Sequence, residues 1–213
     1  MAHPATSSDA RYGGANMVGR LRRVFLRRPD DHACERWREF GWRSAPDPAA
    51  LCVEHEGLCE LLESGGAEVV LGPPVPGALD AIYTFDLAVV SKRGAIVLRP
   101  GKDLRQVEAT ATAKDLKGAG IPIAATLEPP ATVDGGDTIW LDDQTLLVGR
   151  GYRTNAAGVA ALRETLPNVE VIEFDLPHFR GKGEVMHLLS LASLPGPALT
   201  GSWVEAPDDL GGA

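Results

Sequence analysis

The 213-residue chain is 44% hydrophobic and 23% charged, which is enough apolar material to bury a core and too much for a disordered polar tail. A net charge of -8 argues against a general nucleic-acid partner, and no stretch approaches the ~20 apolar residues that a membrane-spanning helix requires. The first residues lack the apolar core of a signal peptide, so the expected location is the cytoplasm, where cysteines stay reduced.

Residues 1–16 are polar and rich in Ala, Ser and Gly. They are expected to be a disordered extension or a misassigned start ahead of Met17, and N-terminal mass mapping would distinguish the two. Arg20 to Arg28 is interleaved with Leu21, Val24, Phe25 and Leu26, the pattern of a strand with solvated arginines. Three segments then read as helix followed by strand: residues 48–65 into AEVVLG, 103–119 into IPIAATL, and 155–166 into VEVIEF. Each helix closes on a breaker: Gly65 and Gly66, Gly118 and Gly120, Pro167 with Asn168. In the first helix Leu51, Leu58, Leu61 and Leu62 make a stripe expected to pack on a sheet. Cys34, Cys52 and Cys59 have neither a Cys-x-x-Cys spacing nor a histidine cluster beside them, so they read as ordinary thiols, and no metal or cofactor is expected.

Between the helical segments two stretches align without a gap, DLAVVSKRGAIVLR from Asp86 and DTIWLDDQTLLVGR from Asp137, each a strand-turn-strand pattern with 13 residues from Asp to Arg. Asp86 and Asp137 stand 51 residues apart, and 50 more lead to His187 in the apolar stretch VMHLLSLASL. VFLRRPDD near the start echoes IVLRPGKD, which extends the series toward the N-terminus. Such a period implies modules that bury their faces against one another, with polar residues at equivalent points converging near a pseudo-symmetry axis.

YTFD (Tyr83 to Asp86), RPG with RxxE (Arg99 to Glu108), VDGGD (Val133 to Asp137), GYRTN (Gly151 to Asn155) and GEVMHLLS (Gly183 to Ser190) occur in an order that resembles the guanidine-modifying superfamily of arginine deiminases, dimethylarginine dimethylaminohydrolases and amidinotransferases. The resemblance implies a pentein-type α/β propeller of ββαβ repeats, incomplete here. Residues 17–194 would form the partial catalytic domain, and 195–213 an irregular tail. It implies His187 and Asp134 as catalytic, Asp86 as a grip on the substrate guanidinium, and Arg105 and Arg153 as partners of the substrate carboxylate. Carboxylates in the plane of a guanidinium and arginines facing a carboxylate are the pairings this chemistry asks for. In the family a cysteine thiolate attacks the guanidinium carbon and the histidine protonates the departing amine.

Two positions depart from the pattern: Phe85 stands where relatives often carry a charge, and Leu189 where deiminases have Asp. The second removes one guanidinium contact of an arginine deiminase and moves the expected substrate toward a dimethylargininase-like or otherwise divergent one. His55 and His178 are assigned no chemistry, and Trp37, Trp42 and Trp140 are expected to serve core or surface packing. The family's nucleophile lies near the C-terminus, and this chain has no cysteine past Cys59. The expectation is a truncated hydrolase of a small guanidino substrate, inactive alone and unstable unless a homo-oligomer or a completing partner covers its open edges. An amidinotransferase and a non-catalytic guanidine-binding remnant are the alternatives.

Overall fold

Three strand-helix-strand units follow one another in the computed structural model, which describes residues 12–13, 16–177, 181 and 187–192. Most of the expected extension (1–16), the expected tail (195–213), His178 and residues 183–186 of the GEVMHLLS motif lie outside the described residues.

The first unit is β1 (Arg23–Arg27), α1 (Pro48–Ser64) and β2 (Glu68–Gly72). The second is β3 (Ala88–Ser91), β4 (Gly94–Val97), α2 (Val107–Gly118) and β5 (Ile123–Thr126). The third is β6 (Thr138–Asp142), β7 (Thr145–Arg150), α3 (Ala156–Thr165) and β8 (Glu170–Asp175). In the second and third units an antiparallel hairpin is extended by a parallel strand reached through the helix, with strand orders β3-β4-β5 and β6-β7-β8. β1 pairs in parallel with β2 as β4 does with β5, which is the place that its echo of IVLRPGKD implies.

The two hairpins turn at the same point of the repeat, since Ser91 opposes Gly94 and Asp142 opposes Thr145. Lys92 and Asp143, first residues of the two turns, form an ion pair that ties the sheets together at their solvent ends. Gly94 has a φ of 121° and its absent Cβ would lie 2.3 Å from the Pro122 carbonyl oxygen, so both conformation and close approach require glycine. A register shift near Trp140 slides β6 against β7 by one place toward the start of the strand, a departure from the gapless alignment that only the structure shows.

The second and third units share one core, in which Ile96, Leu98, Val133, Leu146, Val148 and Leu162 are fully buried. The leucine stripe of α1 does not behave as expected. Leu58 and Leu61 are 44% and 67% exposed, and the helix turns Cys59 inward with Leu51, Cys52, His55 and Leu62 half-buried. The cause is the size of what it covers, a two-stranded sheet and the turn around Ala33 and Cys34, which accepts a narrow arc of the helix. α2 starts at Val107 and not at 103, because Asp103–Arg105 is a separate 3-10 turn that delivers Arg105 into the interior.

Candidate functional site

Three short turns bring the recurring polar residues together. Thr84–Leu87 precedes β3 and carries Asp86, Gly135–Asp137 precedes β6, and Leu188–Ser190 follows an extended His187. His187 itself is extended, and the turn at Leu188–Ser190 follows it directly. The glycines of VDGGD are what allow this approach. A Cβ on Gly135 would lie 2.0 Å from the Phe85 carbonyl oxygen, and one on Gly136 would lie 2.9 Å from His187 Cγ and 3.2 Å from Asp86 Oδ1. The Gly136 amide donates to Asp86 Oδ1 at 3.0 Å.

One ligand atom each from Asp86, Asp134 and His187 fall within 4.8 Å of one another. Both carboxylates of the cluster already accept from protein donors. Asp86 Oδ2 receives Arg105 at 2.6 Å. Asp134 is fully buried, accepts the Gly101 amide at 2.8 Å and meets Arg153 at 3.2 Å. Burial pushes the Asp134 carboxyl above its ordinary range and the nearby Asp86 adds to this, while the Gly101 amide, Arg153 and His187 oppose the rise.

His187 is half-buried with Nε2 4.0 Å from Asp134 Oδ2 and Nδ1 3.1 Å from Asp137 Oδ1. Burial disfavours its protonated form, yet the hydrogen bond and charge of Asp137, with Asp86 and Asp134 nearby, raise its affinity for a proton above that of a free imidazole. Asp137 is the residue of this site that the motif-by-motif reading passed over. Its signal was present in the 51-residue step from Asp86, which places it at the equivalent point of the next module.

Arg105 is 2% exposed and its side-chain nitrogens face inward: Nε to Glu108, one terminal nitrogen to Asp86, the other to Glu108 and to the Asp80 and Tyr83 carbonyls. The resemblance implied Arg105 as a partner of a substrate carboxylate, and here its guanidinium is occupied by these protein acceptors. Its neighbour in the ion pair, Glu108, is 1% exposed, and burial pushes its carboxyl up against the pull of Arg105. Arg153 keeps a quarter of its side chain exposed and lies on Asp134. Phe85 is 42% exposed beside Asp86, and Leu189 joins the apolar cluster of Ile139, Leu176 and Leu188.

No cysteine lies among the described residues of this site. Cys34 packs with Ala33, Phe40 and Leu79, and burial pushes its thiol up. Cys59 sits on α1, 3.8 Å from His55 Nδ1, with its thiol also raised by burial, so neither is poised as a thiolate. Trp140 is a core residue, while Trp42 donates to Asp80 at 2.7 Å.

Comparison with known proteins places this geometry in context. No family model matches the chain. It is 29% identical over 181 residues to the N(G),N(G)-dimethylarginine dimethylaminohydrolase of Streptomyces coelicolor, covering 84% of this chain and 68% of that protein. A protein of the same name from Pseudomonas aeruginosa is 27% identical over 113 residues, 53% of this chain and 44% of its own length. Among solved structures, the Pseudomonas aeruginosa protein, as a Cys-to-Ser mutant complexed with citrulline, superposes with a TM-score of 0.66 at 22% identity over 80% of this chain. The N-terminal domain of a cyanobacterial arginine dihydrolase, bound to substrate, gives 0.63 at 20% identity over 73%. These superpositions show a common fold, and this chain spans 64% and 58% of the two solved chains.

Proposed function

The chain belongs to the guanidine-modifying superfamily, and from that premise we propose that its site holds a small guanidino substrate between Asp86 and Asp134, for hydrolysis to a ureido product. The observation that carries the proposal is the convergence of Asp86, Asp134 and His187 within 4.8 Å, close enough for one guanidinium to face all three. The two carboxylates accept from the N–H groups of the guanidinium and balance the charge that persists through the reaction. His187 Nε2 faces the same space and is the group able to protonate the departing amine and then to activate water.

The remaining site residues take supporting parts. Arg105 fixes Asp86 in place. Arg153, a quarter exposed, is suited to a substrate carboxylate once it leaves Asp134. The exposed ring of Phe85 beside Asp86 suits a guanidinium with an apolar substituent, which favours a methylated arginine over arginine itself. The thiolate that the family's mechanism uses has no counterpart among the described residues of this site, so turnover is tested with a cysteine supplied by a further module.

The test is a product analysis on a chain extended by a further module that ends in a cysteine. It is expected to release an amine and citrulline from a methylated arginine, and His187→Ala is expected to lower the rate by about a hundredfold or more. A new guanidino compound formed only when an acceptor amine is supplied would identify an amidinotransferase instead. Absence of product from arginine, methylarginines and agmatine alike would contradict both and leave a binding protein.

A further inference from the structure

From the packing around His187 we infer that Asp137, steadied by Thr154, is a positioning residue that holds the imidazole with its proton on Nδ1 and leaves Nε2 bare toward the site. The inference deepens the proposed function and rests on it only for the use made of Nε2.

Asp137 is 1% exposed, and three donors converge on its carboxylate. The Leu188 amide reaches Oδ1 at 3.2 Å, the Thr154 hydroxyl reaches Oδ2 at 2.7 Å, and His187 Nδ1 lies 3.1 Å from Oδ1. A carboxylate accepts and does not donate, so the Nδ1 contact is a hydrogen bond only if Nδ1 carries the proton. Thr154 removes the remaining ambiguity. Its oxygen accepts the Asp134 amide at 3.2 Å, which directs its own proton to Asp137. Thr154 is itself 1% exposed and fixed in the turn after β7, where Gly151 donates its amide to the Thr154 carbonyl.

Asp134 is a poor alternative for this role. It faces the other nitrogen at 4.0 Å and is held by Gly101 and Arg153. The charged groups facing His187 are therefore Asp137 at Nδ1, and Asp86 and Asp134 on the Nε2 side. Fixing one ring nitrogen by an acceptor determines which nitrogen is free for proton transfer.

The experiment is the side-chain nitrogen NMR spectrum of His187 in the full chain, free of ligand, so that it reads the tautomer whatever the outcome of any binding or turnover assay. The neutral wild-type imidazole is expected as the Nδ1–H tautomer. Asp137→Asn is expected to shift it toward the Nε2–H form that free histidine prefers and to lower the pH at which it titrates. Asp134→Asn and Thr154→Ser are expected to keep the wild-type tautomer. A wild-type Nε2–H tautomer would overturn the inference, and that reading is available even where Asp137→Asn fails to fold. So would a flip caused by Asp134→Asn, or none caused by Asp137→Asn.

Discussion

Glu108→Ala is expected to destabilise the fold by about 3 kcal/mol, because it removes one of the two carboxylates that compensate a buried arginine. Glu108 and Arg105 are 1% and 2% exposed, and three nitrogen-to-oxygen contacts of 3.0 to 3.3 Å join them. Losing them leaves Asp86, at 2.6 Å, as the one carboxylate on Arg105 among the described residues. A domain of this size holds only about 5–15 kcal/mol in all, so the variant is expected to lose much of its resistance to urea. Asp86 would also lose its fixed position, since the same guanidinium that Glu108 orients is the one that holds Asp86. Chemical denaturation measures the first effect. A change below about 1 kcal/mol would show that Arg105 finds other partners and that the pair contributes little.

Gly135→Ala is expected to cost about 3 kcal/mol or more by overpacking, and to separate the two halves of the site. The added Cβ would sit 2.0 Å from the Phe85 carbonyl oxygen and 3.0 Å from Asp86 Cα, both backbone atoms with no flexible end that could move aside. Relief therefore means drawing the Gly135–Asp137 turn away from the Thr84–Leu87 turn. That movement breaks the Gly136 amide to Asp86 contact, and takes Asp134 and Asp137 away from Asp86. Gly135 has no positive φ, so the close approach of the two turns alone requires glycine there. A Gly135→Ala protein with an unchanged unfolding midpoint would contradict the observed packing of these turns.

Much of this arrangement was legible in the sequence, because the repeat carries it. The step of 51 residues from Asp86 to Asp137, and of 50 to His187, marks the three turns that meet, and the helix-strand order gives the units that bring them there. What escaped depends on contacts between distant residues. The RxxE pattern does not give the direction of Arg105, which follows from Asp86, 19 residues away, and from the carbonyls of Asp80 and Tyr83. Asp134 and Asp137 lie in one short glycine turn, and only its 3-10 geometry separates the buried carboxylate near Nε2 from the one on Nδ1. Leu58 and Leu61 obey helical periodicity, but nothing in their spacing tells how narrow the surface opposite α1 is.

The central claim is that Asp86 and Asp134 together hold a guanidinium, and the most direct measurement is a calorimetric titration of the chain with arginine and with a methylated arginine. Wild-type protein is expected to bind at least one of them. Asp86→Asn and Asp134→Asn are each expected to weaken that binding by about tenfold or more, the effect of losing one charge-assisted contact. Equal affinity in the wild type and both variants would contradict the account.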